Sequence, residues 1–432
     1  MRYLIVIASI LVLFIVAAFT AVFTPTGSNA VIKPIVNNKI KQEVKDVKID
    51  VIKLDSKYKY IDVDAIVDNS IKTNAKGKVD YFSKKFNIDY KVDAKKVKIK
   101  DAEYPLNLDI LGKAIGDINN FVLNGIGEAF NSKIEYKVLV KDSKPQSIKA
   151  TINNAKLSQI FLLAKIAPVI DGLAFVNIAM PSLDIKNPRG VAHIEIKDGK
   201  IDKDILYKNY KIKLPEDEKL SVNIDAKVEN KKVVGSGVID TTTLKLKIKK
   251  IVSTLDFKIT KAYIEAKIND LSKLNSIVKQ KLKGSLVVDG VIYSNLHKKI
   301  MQASLKTKSF GGLAKVFYSN NSVKINLKNI AIQKIERTIS QPLYITNGVI
   351  SGIIKIANID KLDGAFSISS SGTLNKKLFK IKLPSYKYSI STIGSLKKGN
   401  VYLKKNKLDV DFVYDAVVIT PDTIEFVENI TL

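Results

Sequence analysis

Alternation with a period of two residues constrains this chain more than any other feature. Leu220, Val222, Ile224, Ala226 and Val228 alternate with Ser221, Asn223, Asp225, Lys227 and Glu229. Ile61, Val63, Ala65 and Val67 alternate with Asp62, Asp64 and Ile66, and Phe86, Ile88, Tyr90, Val92 and Ala94 alternate with Asn87, Asp89, Lys91 and Asp93. Near the end, Leu408, Val410 and Phe412 flank Asp409 and Asp411. Successive side chains of a strand point to opposite faces, so each run reads as a strand with one apolar and one wet face. Buried parallel strands would be apolar on both faces, which argues for antiparallel pairing. Turn signals separate the runs: Asp198-Gly199, Glu229-Asn230, Asn320-Asn321, Asn347-Gly348 and Lys398-Gly399-Asn400. Asn, Asp and Gly tolerate the positive φ that tight hairpins need. The body is therefore expected to be a long antiparallel meander.

Helical patterns are few. In 111–130 the apolar residues Leu111, Ile115, Ile118, Val122, Ile126 and Phe130 fall near one helical face, which predicts an amphipathic helix. The segment 156–173 is apolar nearly all round and is expected to be a helix that is buried or touches lipid. A third helix is expected over 270–282, with Asp270 as its N-cap and Gly284 just past its end. A soft boundary lies near Pro181 to Pro188, with strand and helix mixed before it and almost pure strand after it. The expected organisation is an anchor over 1–24, a mixed β/α region over 25–185 and a strand region over 186–432.

The anchor is read from Tyr3 to Phe23, an apolar run interrupted only by Ser9 and Thr20 and preceded by Arg2. About 20 apolar residues at ~1.5 Å each match a hydrocarbon core of ~30 Å. A cleaved signal peptide is the rival reading, with Val16-Ala17-Ala18 as its cleavage site, but the apolar run continues through that site. An uncleaved single-pass anchor is expected, with the amino terminus cytoplasmic and the body exported. Long domains cross largely regardless of charge, so Lys33, Lys39 and Lys41 do not reverse that orientation.

Composition removes most catalytic classes. The chain of 432 residues has no cysteine, so neither a disulfide framework nor a thiolate metal site is available. Its two histidines, His193 and His297, are far apart in sequence and give no metal constellation. No phosphate loop or dinucleotide fingerprint is present, and Gly235-Ser236-Gly237 lacks the spacing of a nucleophile elbow. Paired carboxylates such as Asp62 and Asp64 suit the wet face of a strand better than acid–base work. No enzyme, cofactor or metal is expected. The formal charge is +29, and Arg2, Arg189 and Arg337 are the only arginines. Dispersed lysine without the bidentate arginine fork reads as a solvated surface, with attraction to anionic lipid head groups as the functional remainder. No nucleic-acid partner is expected.

Three segments together resemble one family. They are the start, with Thr24-Pro25-Thr26-Gly27 and Val31-Ile32-Lys33-Pro34-Ile35-Val36 after the anchor; 263–274 followed by Leu282-Lys283-Gly284-Ser285-Leu286-Val287-Val288-Asp289-Gly290; and Asn347-Gly348-Val349-Ile350-Ser351-Gly352 followed by 359–366. A short turn carrying Asp270-Leu271 and Leu274, leading into that glycine-spaced strand, looks like the repeat of the AsmA-like proteins. That group includes the inner-membrane subunit of the translocation and assembly module. The resemblance covers the anchor and the C-terminal half, and the chain is much shorter than the bridge-like members. It implies a bitopic inner-membrane protein of a Gram-negative cell, with a periplasmic curved β-sheet forming a hydrophobic groove. It further implies a part in phospholipid movement and outer-membrane integrity, and it brings no catalytic residues.

A one-sided sheet must cover its apolar face, and the helices are too few to do it. Two readings remain: an open groove filled by lipid, or a closed β-sandwich in a scaffolding envelope protein that binds a protein partner. The first is preferred. Its expected partners are phospholipid acyl chains, the inner membrane and an envelope protein. The groove residues are expected to be Val222, Ile224, Ala226, Val228, Val287, Ile325, Leu327, Val410 and Phe412.

Overall fold

The computed structural model describes residues 49–410, except 58, 68–69, 81, 100–101, 130, 143, 164–166, 185–186, 211–212, 215, 217, 279, 376–386 and 399. The expected anchor over 1–24 and the groove position Phe412 lie outside the described residues. No helix among those residues is long and apolar enough to cross a membrane. The protein is mainly β and antiparallel, with a few short helices. Two compact units divide it. The first ends at Lys231, and the second begins at Lys232 and also takes in 213–216. The boundary expected at residue 185 lies between two strands of the first unit.

The first unit contains β1 (Ile49–Lys57), β2 (Tyr60–Val67), β3 (Ile71–Asp80), β4 (Lys85–Ile99), β5 (Ala102–Asp117) and β6 (Asn120–Ala129). It continues with β7 (Ser132–Lys141), β8 (Lys144–Lys156), β9 (Ile170–Ser182), β10 (Arg189–Ile201) and β11 (Glu218–Glu229). Helix α1 (Leu157–Leu163) follows β8, and α2 (Lys203–Tyr210) follows β10. Each strand pairs antiparallel with the next. Among the described residues β1 and β11 do not pair with each other, so this sheet is open.

Its inner face is sealed. Ile110 is 1% exposed, Leu123 0% and Val67 0%. The buried residues of this face, from Val51 to Ala150, form one hydrophobic cluster, as a one-layer sheet brings its side chains together by curling. Glycines on the central strands permit the curl. Tyr90, Gly112, Gly125 and Tyr136 lie directly opposite one another across β4 to β7. The two rings lie over the glycines, where a Cβ would come within 2.2 Å of Tyr90 Cζ and 2.5 Å of Tyr136 Cζ. Their hydroxyls meet at 2.7 Å, and Tyr90 also donates to the Asn124 carbonyl at 3.0 Å. Burial pushes both phenols up from their ordinary value. Two rows along, Phe86 and Phe121 flank Gly116, with ring centroids 5.5 Å apart.

The amphipathic helix expected over 111–130 is instead the β5–β6 hairpin. Turn chemistry overrides the apparent 3.6-residue spacing. Gly116 has φ 151°, and Asp117 Oδ1 accepts from the backbone N–H groups of Asn119 and Asn120, both at 2.9 Å. Leu111, Ile115 and Ile126, assigned to the buried side of that helix, are exposed on the outer face. The helix expected over 156–173 is reduced to α1, and β9 begins at Ile170.

The second unit contains β12 (Lys232–Thr241), β13 (Leu244–Thr254), β14 (Ile259–Ile268), β15 (Leu286–Asn295), β16 (Ile300–Thr307) and β17 (Leu313–Ser319). Then come β18 (Ser322–Ala331), β19 (Ile345–Asn358), β20 (Asp363–Leu374), β21 (Lys387–Lys397) and β22 (Asn400–Val410). These too pair antiparallel in sequence order. Between β14 and β15 lie a 3₁₀ turn (Leu271–Leu274) and α3 (Asn275–Val278); α4 (Ile332–Thr338) separates β18 from β19. The helix expected over 270–282 is reduced to this 3₁₀ turn and α3, and Asp270 caps the turn, its carboxylate accepting from Ser272 N at 2.9 Å.

Candidate functional site: the inner face of the second unit

Register defines the site. Ile248, Ile264, Gly290, Leu305, Val316, Ile325, Ile354, Phe366 and Gly394 face their neighbours directly from β13 to β21. Directly opposed residues share a face, so these form one continuous apolar row. A second row runs beside it through Leu246, Ala266, Val288, then Ala314, Leu327, Gly352 and Ile368. Among the described residues no second layer covers either row along the middle of the sheet. Leu305, Val316, Ile325, Ile354 and Phe366 are half-buried, whereas the matching positions of β4 to β7 are buried.

The two rims of this sheet differ. At one, α4 packs against β19 and covers the strand ends. Ile332 of α4 approaches the space over Gly348, which Tyr388 also borders. Tyr388 shares a hydrogen bond with Ser370 at 3.1 Å. Burial raises its phenol, the Ser370 bond opposes that, and the Glu336 charge adds to it. Glu336 is itself buried on α4, and its Oε2 has no hydrogen-bond partner. The β14–β15 connection is tied onto the same rim by Lys283 N to Thr338 O at 2.7 Å and Gln280 Nε2 to Ile339 O at 3.2 Å. At the opposite rim the strands are joined by tight turns alone.

The outer face is wet. Lys249, at a bulge in β13, bridges Glu265 at 2.8 Å and Asp289 at 2.7 Å. That contact raises the Lys249 ammonium and lowers the Asp289 carboxyl from their ordinary values.

The expected groove residues fall into separate groups. Ile325 and Leu327 lie on the apolar rows. Val222, Ile224, Ala226 and Val228 share the inner face of the first unit's last strand; Val222 is buried and the others are half-buried. Val410 takes the register position opposite Tyr388. Val287 is a correction: it pairs with Lys267 and is 36% exposed on the outer face, while Val288 occupies the inner position. Leu286, Val287 and Val288 are all apolar, so parity there is set only by pairing with β14.

Chemistry-bearing side chains do not converge. His193 Nδ1 lies 2.8 Å from Asp225 Oδ1, its cross-strand neighbour on the outer face. His297 lies 3.9 Å from Asp256 at a turn. Asp62 and Asp64 are held by Asn74 Nδ2 at 3.0 and 2.7 Å, and Asp62 also by Lys53 at 3.1 Å. Among the described residues no group of His, Asp or Glu is placed to hold a metal ion.

No family model matches the chain, and no solved structure matches it. Among curated proteins, a UPF0102 protein of Sulfurimonas denitrificans (strain ATCC 33889 / DSM 1251) is 60% identical over 37 residues. That stretch is 9% of this chain, and the chain spans about a third (34%) of that protein's length.

Proposed function

We propose that the chain is a non-enzymatic, lipid-handling protein of the cell envelope, anchored at its amino terminus, whose sheet takes acyl chains on its inner face. The observation that carries this reading is the pair of apolar rows from β13 to β21, mostly half-buried and, among the described residues, uncovered along their middle. A long apolar stripe open to water is the kind of surface that soluble monomers avoid and that marks a binding site. Acyl chains suit it, since each buried methylene contributes about 0.8 kcal/mol and the rows make no directional demand. The resemblance of the sequence to AsmA-like proteins supports this reading and would imply an inner-membrane anchor and a periplasmic body.

The test is lipid transfer between donor and acceptor vesicles. Leu327→Asp and Ile325→Asp should abolish transfer while circular dichroism keeps its strand signal; Asp225→Lys should leave transfer unchanged. Full transfer by a folded Leu327→Asp protein would end the groove reading.

The scaffolding alternative draws support from the first unit. Its sealed core leaves no inner surface for a ligand, so that unit acts through its outer face. There a cleft of about 540 Å³, bordered by Leu111, Ile126, Glu128 and Lys133, suits a protein partner better than an acyl chain.

A further inference from the structure

The tight-turn rim of the second unit carries a feature that folding does not require. Phe257, in the β13–β14 turn, has φ 57°, and Leu362, in the β19–β20 turn, has φ 50°. A bulky side chain is strained in this left-handed region, where Gly and Asn sit at little cost. Burial could offset that strain, but Phe257 is 60% exposed and Leu362 46%. On the same rim Asn320, Asn321 and Lys398 serve the same backbone region with polar side chains. Apolar residues are therefore not demanded by the turns. Leu255 and Leu296 add further exposed apolar surface beside Phe257.

Hydrogen bonds join these turns into one edge. Leu296 N donates to Lys258 O at 2.8 Å, and Asn320 N to Met301 O at 3.1 Å. Asn321 Nδ2 donates to Asp360 Oδ2 at 2.8 Å, and Lys398 N to Asp363 Oδ1 at 3.0 Å. The apolar tips are thus held in a fixed row. Lysines surround them: Lys258, Lys298, Lys299, Lys361 and Lys398 lie in these turns. A cleft of about 1150 Å³ beside Leu362 is bordered by Lys355, Lys397, Lys404 and Tyr402. The turn carboxylates Asp256, Asp360 and Asp363 accept hydrogen bonds within the edge.

We propose that this rim docks on an anionic phospholipid bilayer, with Phe257, Leu296 and Leu362 dipping into the head-group and acyl boundary and the lysines meeting lipid phosphates. Exposed apolar tips set among cations match the interfacial pattern, in which apolar burial and head-group attraction act together. The cations are lysines, point charges suited to a diffuse anionic surface; the bidentate fork that specific phosphate recognition favours is absent from the rim. The rim is separate from the apolar rows of the inner face, so the inference stands or falls independently of the groove.

The chain has no cysteine, so single labels are clean. The full chain, carried in phosphatidylcholine nanodiscs, receives an environment-sensitive fluorophore at Lys361→Cys or, mid-strand on the outer face of β20, at Ser367→Cys. It is then offered vesicles of phosphatidylcholine with phosphatidylglycerol, vesicles of phosphatidylcholine alone, or single-stranded RNA. The expected result is a blue shift at position 361 with the anionic vesicles only. Equal shifts at both positions, no shift at 361, or a response to RNA in place of vesicles would overturn the proposal. In a second arm, Phe257→Asn and Leu362→Asn together relieve the strained turns. Affinity for anionic vesicles should fall about tenfold or more while thermal stability holds or rises. Lower stability with unchanged vesicle affinity would mark these side chains as structural and overturn the proposal.

Discussion

Leu123 in the first unit and Ile325 in the second occupy equivalent places, each an inward residue of a one-layer antiparallel sheet. Yet Leu123 is fully buried and Ile325 is half-exposed. Alternation does not account for the difference: β18 alternates cleanly through Lys324, Asn326 and Lys328, whereas β6 opens on the apolar run Phe121-Val122-Leu123. The first unit pairs large aromatics with glycines across its central strands, Tyr90 with Gly112 and Phe86 with Gly116, and the rings fill the space the curl encloses. In the second unit Leu305 lies over Gly290 and Phe366 over Gly394, and the other positions of the rows are aliphatic residues, alanine or glycine. A sealed face spends its apolar surface on stability; an open one leaves part of it accessible.

The contrast predicts unequal responses to one kind of change. Leu123→Asp should unfold the first unit, because an unpaired carboxylate in a sealed core has neither water nor a partner. Ile325→Asp should leave the second unit folded. Hydrogen exchange read strand by strand distinguishes the outcomes, and equal loss of protection in both variants would erase the distinction. Truncation sharpens it: Leu123→Ala should cost about 2–5 kcal/mol in urea denaturation, and Ile325→Ala less than half as much.

The curl itself can be attacked. Gly112→Ala would place a Cβ 2.4 Å from the Asn124 carbonyl oxygen and 2.2 Å from the Tyr90 ring. Backbone on one side and a buried ring on the other leave little room to relax. A loss of about 1–3 kcal/mol is expected, with no change in the second unit's exchange pattern.

Parity supplies a smaller test. Val287→Lys should change stability by less than about 0.5 kcal/mol, because Val287 already lies beside Lys267 on the wet face. Val288→Lys, one residue on, should block lipid transfer.

These positions also show how far the sequence could be read. Ile325 and Leu327 were legible because Lys324, Asn326 and Lys328 interrupt them on the other face. Val287 was not, because its neighbours are apolar on both sides and only the ladder to β14 fixes its direction. Asp270 was legible as a cap, since the carboxylate needs only local backbone donors. The 111–130 segment misled because residues four apart in a glycine-rich hairpin mimic a helical stripe; the turn signal Asp117 to Asn120 was present but outweighed by spacing. Whether a face is sealed or open had no local signal, because it depends on which residues meet across several strands.

The smallest effect concerns acid. Backbone donation from Asn119 and Asn120 holds the Asp117 carboxyl below its ordinary value of 3.8. A carboxyl depressed in the folded state adds stability above its unfolded pKa, and loses it as pH falls through the folded one. Asp117→Asn keeps the acceptor but not the titration, so the acid limb of the first unit's melting profile should become slightly shallower.

Photo-crosslinking reads the occupant of the inner face. A benzophenone side chain is placed at Ile325, at its outward neighbour Lys324, and at Ile88 on the sealed face of β4, in the full chain within envelope membranes. Phospholipid adducts are expected at 325 and none at 324 or 88. Adducts at 324 equal to those at 325, or none at 325 in folded protein, would contradict the groove reading.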